Sequence, residues 1–429
     1  MMQENEMRGG EGDVQPDADA SAYRFRARDG LLGAQMLFVA FGSLVLVPLL
    51  TGLDPNVALF TAGVGTLVFQ IVTRGRVPVF LASSFAFIAP IIYGVETWGV
   101  PGTLSGLMAA GVVYMLLSLL IRLRGVGVIE RLLPAIVTGP VIMVIGLVLA
   151  PVAINLATGL SGNGESELVA AAPAMTVSII ALAVTVAVSL LARGVLSLVP
   201  ILCGVVVGYL VSLPFGMVDF APIAEAPWLA MPNFVAPEWN WQAVLFMIPV
   251  AIAPAIEHFG DIIAIRSVTG RDYLKDPGID RTMLGDGLAT SLAAAFGGPP
   301  NTTYSEVTGA VTLTKAYNPA LMTWAAGFAI VFAFVGKLGA LLASIPTPVM
   351  GGIIVLLFGA IVVVGMNSLV KSGEELTEPR NLAVVGIILI TGIGGLSFSA
   401  GEFTLEGIAL SGVLGVLLNL VLPRNRRSG

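Results

Sequence analysis

The sequence predicts an all-α polytopic membrane protein of about fourteen transmembrane segments, arranged as two inverted repeats of seven. Three observations lead there. Of the 429 residues, 56% are hydrophobic and only 11% charged, against roughly 25% charged residues in a soluble globular chain. Apolar stretches of spanning length follow one another through short polar connections. When those stretches are threaded alternately through a bilayer, all of the 21 Lys and Arg except Lys337 fall on one side, as the bias of basic residues toward cytoplasmic loops requires.

The elements follow in chain order. Residues 1–30 are polar and acidic, carrying Glu4, Glu6, Glu11, Asp13, Asp17, Asp19 and Asp29. They lack the apolar core of a signal peptide and are expected to form a disordered cytoplasmic tail. Apolar spans are placed at 31–49, 55–73, 79–94 and 102–121, then at 132–155, 174–192 and 196–213. Residues 214–241, with Asp219, Glu225, Glu238 and several prolines but no Lys or Arg, are expected outside. Further spans are placed at 242–264, 283–297, 301–314, 318–336, 350–366, 381–397 and 404–422, before a short tail at 424–429. An even number of spans leaves both termini cytoplasmic, in a multi-pass protein of the cell membrane whose constant partner is the lipid bilayer.

Two spans do not read as plain lipid-facing helices. In Pro78-Val-Phe-Leu-Ala-Ser-Ser-Phe-Ala-Phe87 and Pro299-Pro-Asn-Thr-Thr-Tyr-Ser-Glu306, proline precedes a stretch rich in hydroxyls and aromatics. These are the third and tenth spans, and both are expected to be discontinuous, with a short extended segment. Pro78 and Pro299 stand 221 positions apart, as do Ser84 and Ser305. Matched interrupted segments in two halves point to a midplane binding site, and an odd-numbered repeat must invert its orientation.

Charges inside the membrane are costly and therefore mark function. Glu257 and Asp261 are four residues apart, so a helix places both carboxylates on one face, and Glu306 follows the tenth-span break directly. Such groups can couple substrate binding to proton entry. His258 is the only histidine and Cys203 the only cysteine, so neither a metal site nor an intrachain disulfide is expected; His258 reads as a packed side chain. Asp286 reads as a turn or Arg-pairing residue at the cytoplasmic edge, and Asn301-Thr-Thr303 as a glycosylation triplet only by coincidence. Gly102 and Gly106, and Gly204 and Gly208, have the spacing of close helix packing. Without a Walker loop, a GxSxG elbow or HExxH, ATP-driven transport and the familiar hydrolases lose support. Enzymatic activity, a cofactor and nucleic-acid binding are not expected.

The Glu257-His-Phe-Gly-Asp261 helix, Ser83-Ser-Phe-Ala-Phe87, Pro299 with Asn301-Thr-Thr-Tyr-Ser-Glu306 and Gly309, and Pro346-Thr-Pro-Val-Met-Gly-Gly352 resemble the bacterial uracil permeases of the nucleobase/ascorbate transporter family. The resemblance runs from about residue 31 to 422. It implies a core domain (31–125 and 242–340) and a gate domain (126–213 and 341–423) that move against each other, proton symport of a free nucleobase, and a homodimer. It also implies that Glu257 and Glu306 bind the base, that Phe85 and Ser305 offer it backbone amides, and that Tyr304, Ser43 and Phe358 line the pocket. Ser84, the counterpart of Ser305, joins the substrate-binding set, while Glu257, Asp261 and Glu306 form the proton-coupling set. Uracil presents N–H donors for carboxylates and carbonyl acceptors for amides at half-helix N-termini.

The chain departs from the family pattern at three places. Asp261 stands where familiar uracil permeases have histidine and xanthine or urate members have aspartate. Gln35-Met36 replaces a Gln-His pair, and Phe358 replaces a pocket tyrosine. Glu306 in turn differs from the Gln-Asn pair of xanthine carriers. Uracil is favoured over a purine such as xanthine, and an anion carrier of the related sulfate-transporter architecture is a further alternative, although pocket carboxylates would repel an anion.

Overall fold

The computed structural model describes residues 22–125, 127, 131, 134–400 and 403–423. The rest of the tail expected at 1–30, and the tail expected at 424–429, lie outside the described residues. Residues 22–29, placed in that tail by sequence, are not loose: Phe25 stacks on Trp324 with ring centroids 4.7 Å apart. Tyr23 Oη lies 3.1 Å from Thr323 Oγ1.

The first half contains α1 (Gly30–Thr51), α2 (Pro55–Val72), strand β1 (Leu81–Ser83), α3 (Ile88–Arg124), α4 (Ala135–Val148), α5 (Ala150–Ala157), α6 (Ala171–Leu191) and α7 (Pro200–Ser212). The second contains α8 (Trp241–Val250), α9 (Ile252–Thr269), α10 (Ile279–Ala295), strand β2 (Asn301–Thr303), α11 (Ser305–Thr314), α12 (Ala320–Ala333), α13 (Gly336–Ala343), α14 (Thr347–Ser372), α15 (Pro379–Ile393), a hairpin of Ser397–Ala400 with Phe403–Glu406, and α16 (Gly407–Val421). Among the described residues, six helices are long and apolar enough to cross a membrane. The others are broken where the chain carries its own punctuation. Pro249 ends α8 one turn before α9 begins, within the single span expected at 242–264. Gly99, at φ 70°, divides α3 between the spans expected at 79–94 and 102–121; that positive φ is open to glycine at no steric cost.

Local chemistry sets the helix ends. Asp54 caps α2, its carboxylate accepting from the N–H groups of Asn56 at 2.7 Å and Val57 at 3.2 Å, with Pro55 in the first turn, where its missing donor costs nothing. In the 214–241 segment, Lys337 Nζ donates to the carbonyls of Ile223 and Ala224, at 2.8 and 3.0 Å. This is the one cation that the threading left outside, and it closes the end of the short helix Ala221–Glu225.

The helices pack in two sets. In one, α3 runs along α10 and α8, while α2 packs on α10 and α12. In the other, α14 lies against α4, α5 and α6, and α15 against α4 and α16. Close approach in both depends on glycine. A Cβ at Gly208 would stand 2.7 Å from Val349 Cγ1, and one at Gly106 2.7 Å from Met247 Cγ, whereas at Gly102 the nearest atom is Trp98 Cβ at 2.9 Å, with Asn240 Cβ, just before α8, at 3.7 Å.

Between the halves, β1 and β2 form a two-stranded antiparallel ladder, with Leu81 opposite Thr303, Ala82 opposite Thr302 and Ser83 opposite Asn301. Backbone groups of such a ladder need partners in an apolar interior, which explains the hydroxyls around it. Thr66 Oγ1 accepts from Leu81 N at 2.9 Å, Thr290 Oγ1 donates to Asn301 O at 2.8 Å, and Tyr304 Oη donates to Ser83 O at 2.7 Å.

Candidate functional site

Each strand of the ladder runs into the start of a helix. Ser84, extended, precedes the helical turn Phe85–Phe87 that leads into α3, and Tyr304, extended, precedes α11 at Ser305. The first N–H groups of a helix have no intrahelical acceptor, so this arrangement brings two sets of backbone donors to the ladder's ends. The side chain of Ser305 lies outside the described residues.

Beside these ends is a cavity of about 620 Å³. One wall is formed by Phe85, Glu257, Asp261, Thr302, Tyr304 and Glu306, the other by α4 and α14. The cavity thus lies between the two helix sets. Glu257 and Asp261 share one face of α9, as their spacing required, and both line it. Glu306 accepts a hydrogen bond from Ser43 Oγ at 3.3 Å, while Asp261 accepts from Thr303 Oγ1 at 2.7 Å. The latter bond ties the α9 carboxylate to the β2 ladder. The Phe85 and Tyr304 rings are nearly parallel, with centroids 6.2 Å apart, an offset arrangement suited to a flat ring nearby.

Other expected residues stand elsewhere. Ser43 is buried and reaches the site through Glu306 rather than by lining the cavity. Ser84 is buried, its N–H donating to Pro300 O at 2.9 Å. Phe358, expected to line the pocket, is only 2% exposed and is not among the residues that line the cavity. The cavity face of α14 is instead Leu357, Ile361, Val364, Ser368 and Lys371, which recur every three to four residues as one helical stripe; Phe358 lies about 100° off that stripe. Residues of α4, such as Thr138, and the polar set Asn367, Ser368 and Lys371 were not among the sequence candidates. Nothing in their local pattern marks them, because only the crossing of α4 and α14 decides which stripe faces the cavity.

Asp286 requires a correction. It is not at an edge but wholly buried in α10, with Oδ2 3.3 Å from His258 Nδ1. His258 is equally buried, its Nε2 3.1 Å from Thr282 Oγ1 and its ring edge-on to Phe69. Two polar side chains buried on facing helices compensate each other's loss of water.

The geometry now has a family context. The profile of the permease family matches residues 30–400. The chain belongs to the nucleobase/ascorbate transporter family. It is 51% identical to a probable uracil permease of Pasteurella multocida, over 94% of this chain and 95% of that protein. With the uracil permease of Bacillus caldolyticus it shares 45% identity over 91% of each. The transmembrane domain of the cyanobacterial bicarbonate transporter BicA superposes with a TM-score of 0.63 at 16% identity, over 93% of this chain and 98% of that one. At that identity the likeness shows the fold alone. The family and the apolar helices make this a multi-pass membrane protein and a transporter rather than an enzyme.

Proposed function

We propose that this transporter imports a free nucleobase, uracil in preference to xanthine, by proton symport. One observation carries the reading: Glu257 and Glu306 line the same cavity as the near-parallel rings of Phe85 and Tyr304. A pyrimidine fits such a place. Its ring N–H groups donate to the carboxylates, its carbonyls accept from the backbone amides at Phe85 and Ser305, and its face packs against the aromatic pair. The names of the relatives agree with this substrate. Glu257, Asp261 and Glu306 also form the proton-coupling set, since three carboxylates gathered in one apolar cavity repel one another and are relieved by a proton. The same repulsion argues against an anion as cargo.

Alternate access follows as a movement of the gate domain (126–213 and 341–423) against the core domain (31–125 and 242–340), in a homodimer with cytoplasmic termini. The cavity between the helix sets supports this division. It extends along α14 from Leu357 to Lys371, about 21 Å of helix, and Lys371 belongs to the cytoplasmic basic set. The described conformation is therefore assigned as open toward the cytoplasm.

The test is uptake of labelled uracil into proteoliposomes with and without an inward proton gradient, with unlabelled uracil and xanthine as competitors. Gradient-driven accumulation competed by uracil alone is expected. Stronger competition by xanthine would move the assignment to purines, and no accumulation of either base would defeat it. Asp261→His restores the residue of familiar uracil permeases and is expected to shift the pH dependence of uptake, because imidazole titrates nearer neutrality than a carboxylate. An unchanged pH profile and competitor ranking would remove Asp261 from the coupling set.

A further inference from the structure

The connection between the two halves leaves apolar side chains uncovered among the described residues. Trp228, Leu229 and Met231 are 72%, 78% and 75% exposed. Single exposed apolar side chains are ordinary, but three within four residues form a patch of the kind that marks a contact surface with another protein or a membrane. The stretch is firmly held. Leu229 pairs antiparallel with Val335 as a single bridge, Ala230 N donates to Phe334 O at 3.0 Å, and Gly336 N donates to Trp228 O at 3.1 Å. Lys337 Nζ, already bonded to the carbonyls of Ile223 and Ala224, lies 5.8 Å from the centre of the Trp228 ring. Further along, Phe234 turns inward, edge-on to Phe60 and Phe296 with centroids 5.0 and 5.6 Å away. The segment thus uses Phe234 for packing and presents Trp228, Leu229 and Met231 outward from a fixed backbone.

The patch continues the open face of α12. Val331, one helical turn before Val335, is 60% exposed, and a Cβ at Gly327, a turn earlier still, meets nothing within 4 Å. On an apolar helix of a multi-pass membrane protein, such a face is covered by acyl chains. Leu229 is fastened just past the end of that helix, at Ala333. Tryptophan beside lysine at this level is the pairing that suits the boundary between hydrocarbon and water, the ring body apolar and the ammonium wet.

We propose that Trp228, Leu229 and Met231 insert into the bilayer leaflet at the Ala333 end of α12 and anchor the connecting segment to the membrane interface. The contact is apolar rather than ionic. Residues 214–241 carry Asp219, Glu225 and Glu238 but no Lys or Arg, so the segment has no cation of its own with which to hold an anionic headgroup, and a zwitterionic lipid suffices. A second copy of the chain also offers apolar surface, but continuity with the open face of α12 favours lipid. The inference is independent of the transported substrate and of the direction of transport.

The experiment places a nitroxide spin label at Leu229→Cys or Met231→Cys in the full-length protein, with the lone cysteine removed as Cys203→Ser, in phosphatidylcholine proteoliposomes. Power saturation compares collisions with oxygen, which concentrates among acyl chains, and with a water-soluble nickel chelate. Glu225→Cys, also at an exposed position, is the reference for water. The oxygen-to-nickel ratio is expected to be several-fold higher at 229 and 231 than at 225. Equal ratios at the three positions put the patch in water and overturn the proposal. Low access to both reagents, with dipolar broadening between labels, overturns lipid and assigns the patch to a second copy. Should Cys203→Ser not fold, quenching of tryptophan fluorescence by brominated phosphatidylcholine reads the same contact in the native background. It is expected to fall in Trp228→Phe, and quenching unchanged by that substitution overturns the proposal.

Discussion

Glu257→Gln is expected to cut gradient-driven accumulation of labelled uracil in proteoliposomes by roughly a hundredfold, with the protein still folded. The figure corresponds to about 2.7 kcal/mol, within what hydrogen bonds to a charged acceptor contribute. Glutamine has nearly the shape of glutamate, so packing is preserved and the change is electronic. A carboxylate presents only acceptors, whereas the amide turns one of its two positions into a donor. A nucleobase N–H meeting that donor loses its bond and is left buried without a partner. Glu306→Gln would weaken binding less if Ser43, which donates to Glu306 Oε1, continues to hold the remaining carbonyl oxygen in place. The measurement is initial uptake rate together with binding of uracil to purified protein; near-normal values of both for Glu257→Gln would remove this residue from the site.

Gly287→Leu should be strongly destabilising although the position lies outside the cavity. A Cβ at Gly287 in α10 would stand 2.8 Å from Gly111 O, 2.9 Å from Tyr114 Cβ and 3.0 Å from Met115 N, all on α3. Two of those atoms are backbone, so they cannot swing aside as a flexible side chain would. The helices must separate, and the α3–α10 contact carries Ser291 Oγ donating to Met108 O at 3.1 Å and the buried Asp286. Overpacking of this kind costs about 1–3 kcal/mol and sometimes more; the backbone contact puts Leu at or above the upper end and Ala below it. Gly327→Ala in α12, where a Cβ meets nothing within 4 Å, is the matched control. It should be neutral or slightly stabilising, because alanine is favoured over glycine in a helix by about 1 kcal/mol. Thermal unfolding of the three variants in detergent measures the order, and equal stability of Gly287→Leu and Gly327→Ala would refute the packing account.

Much of this was legible before any coordinates. Hydropathy located the apolar helices, because burial in lipid demands length and composition that few other structures require. The shared offset of Pro78 and Ser84 from Pro299 and Ser305 singled out the two segments that pair as β1 and β2. The four-residue spacing of Glu257 and Asp261 gave their common face, which needs only the period of one helix. What escaped was whatever depends on two elements meeting. Asp286 reads locally as a polar residue near a glycine, and only the docking of α9 on α10 buries it against His258. Phe358 and Leu357 are neighbours in sequence, and the rotation of α14 about its axis, set by packing against α4, α5 and α6, decides that Leu357 faces the cavity. The ordering of residues 22–29 likewise comes from Trp324 and Asn318, nearly three hundred positions away.

The β1–β2 ladder has a consequence for how the protein is made. Leu81 and Thr303 are paired across 222 positions, so while the ribosome is still producing the middle of the chain, β1 has been inserted and its partner does not yet exist. Its backbone N–H and C=O groups then face either hydrocarbon, at several kcal/mol for each unsatisfied group, or some temporary shelter. Thr66 relieves only part of this, since it bonds both polar groups of Leu81 and none of Ala82 or Ser83. The candidate site therefore cannot mature step by step from the N-terminus. It closes late, in one event, when the tenth segment arrives, and a chain cut short before residue 301 carries a permanent open edge that membrane quality control can detect.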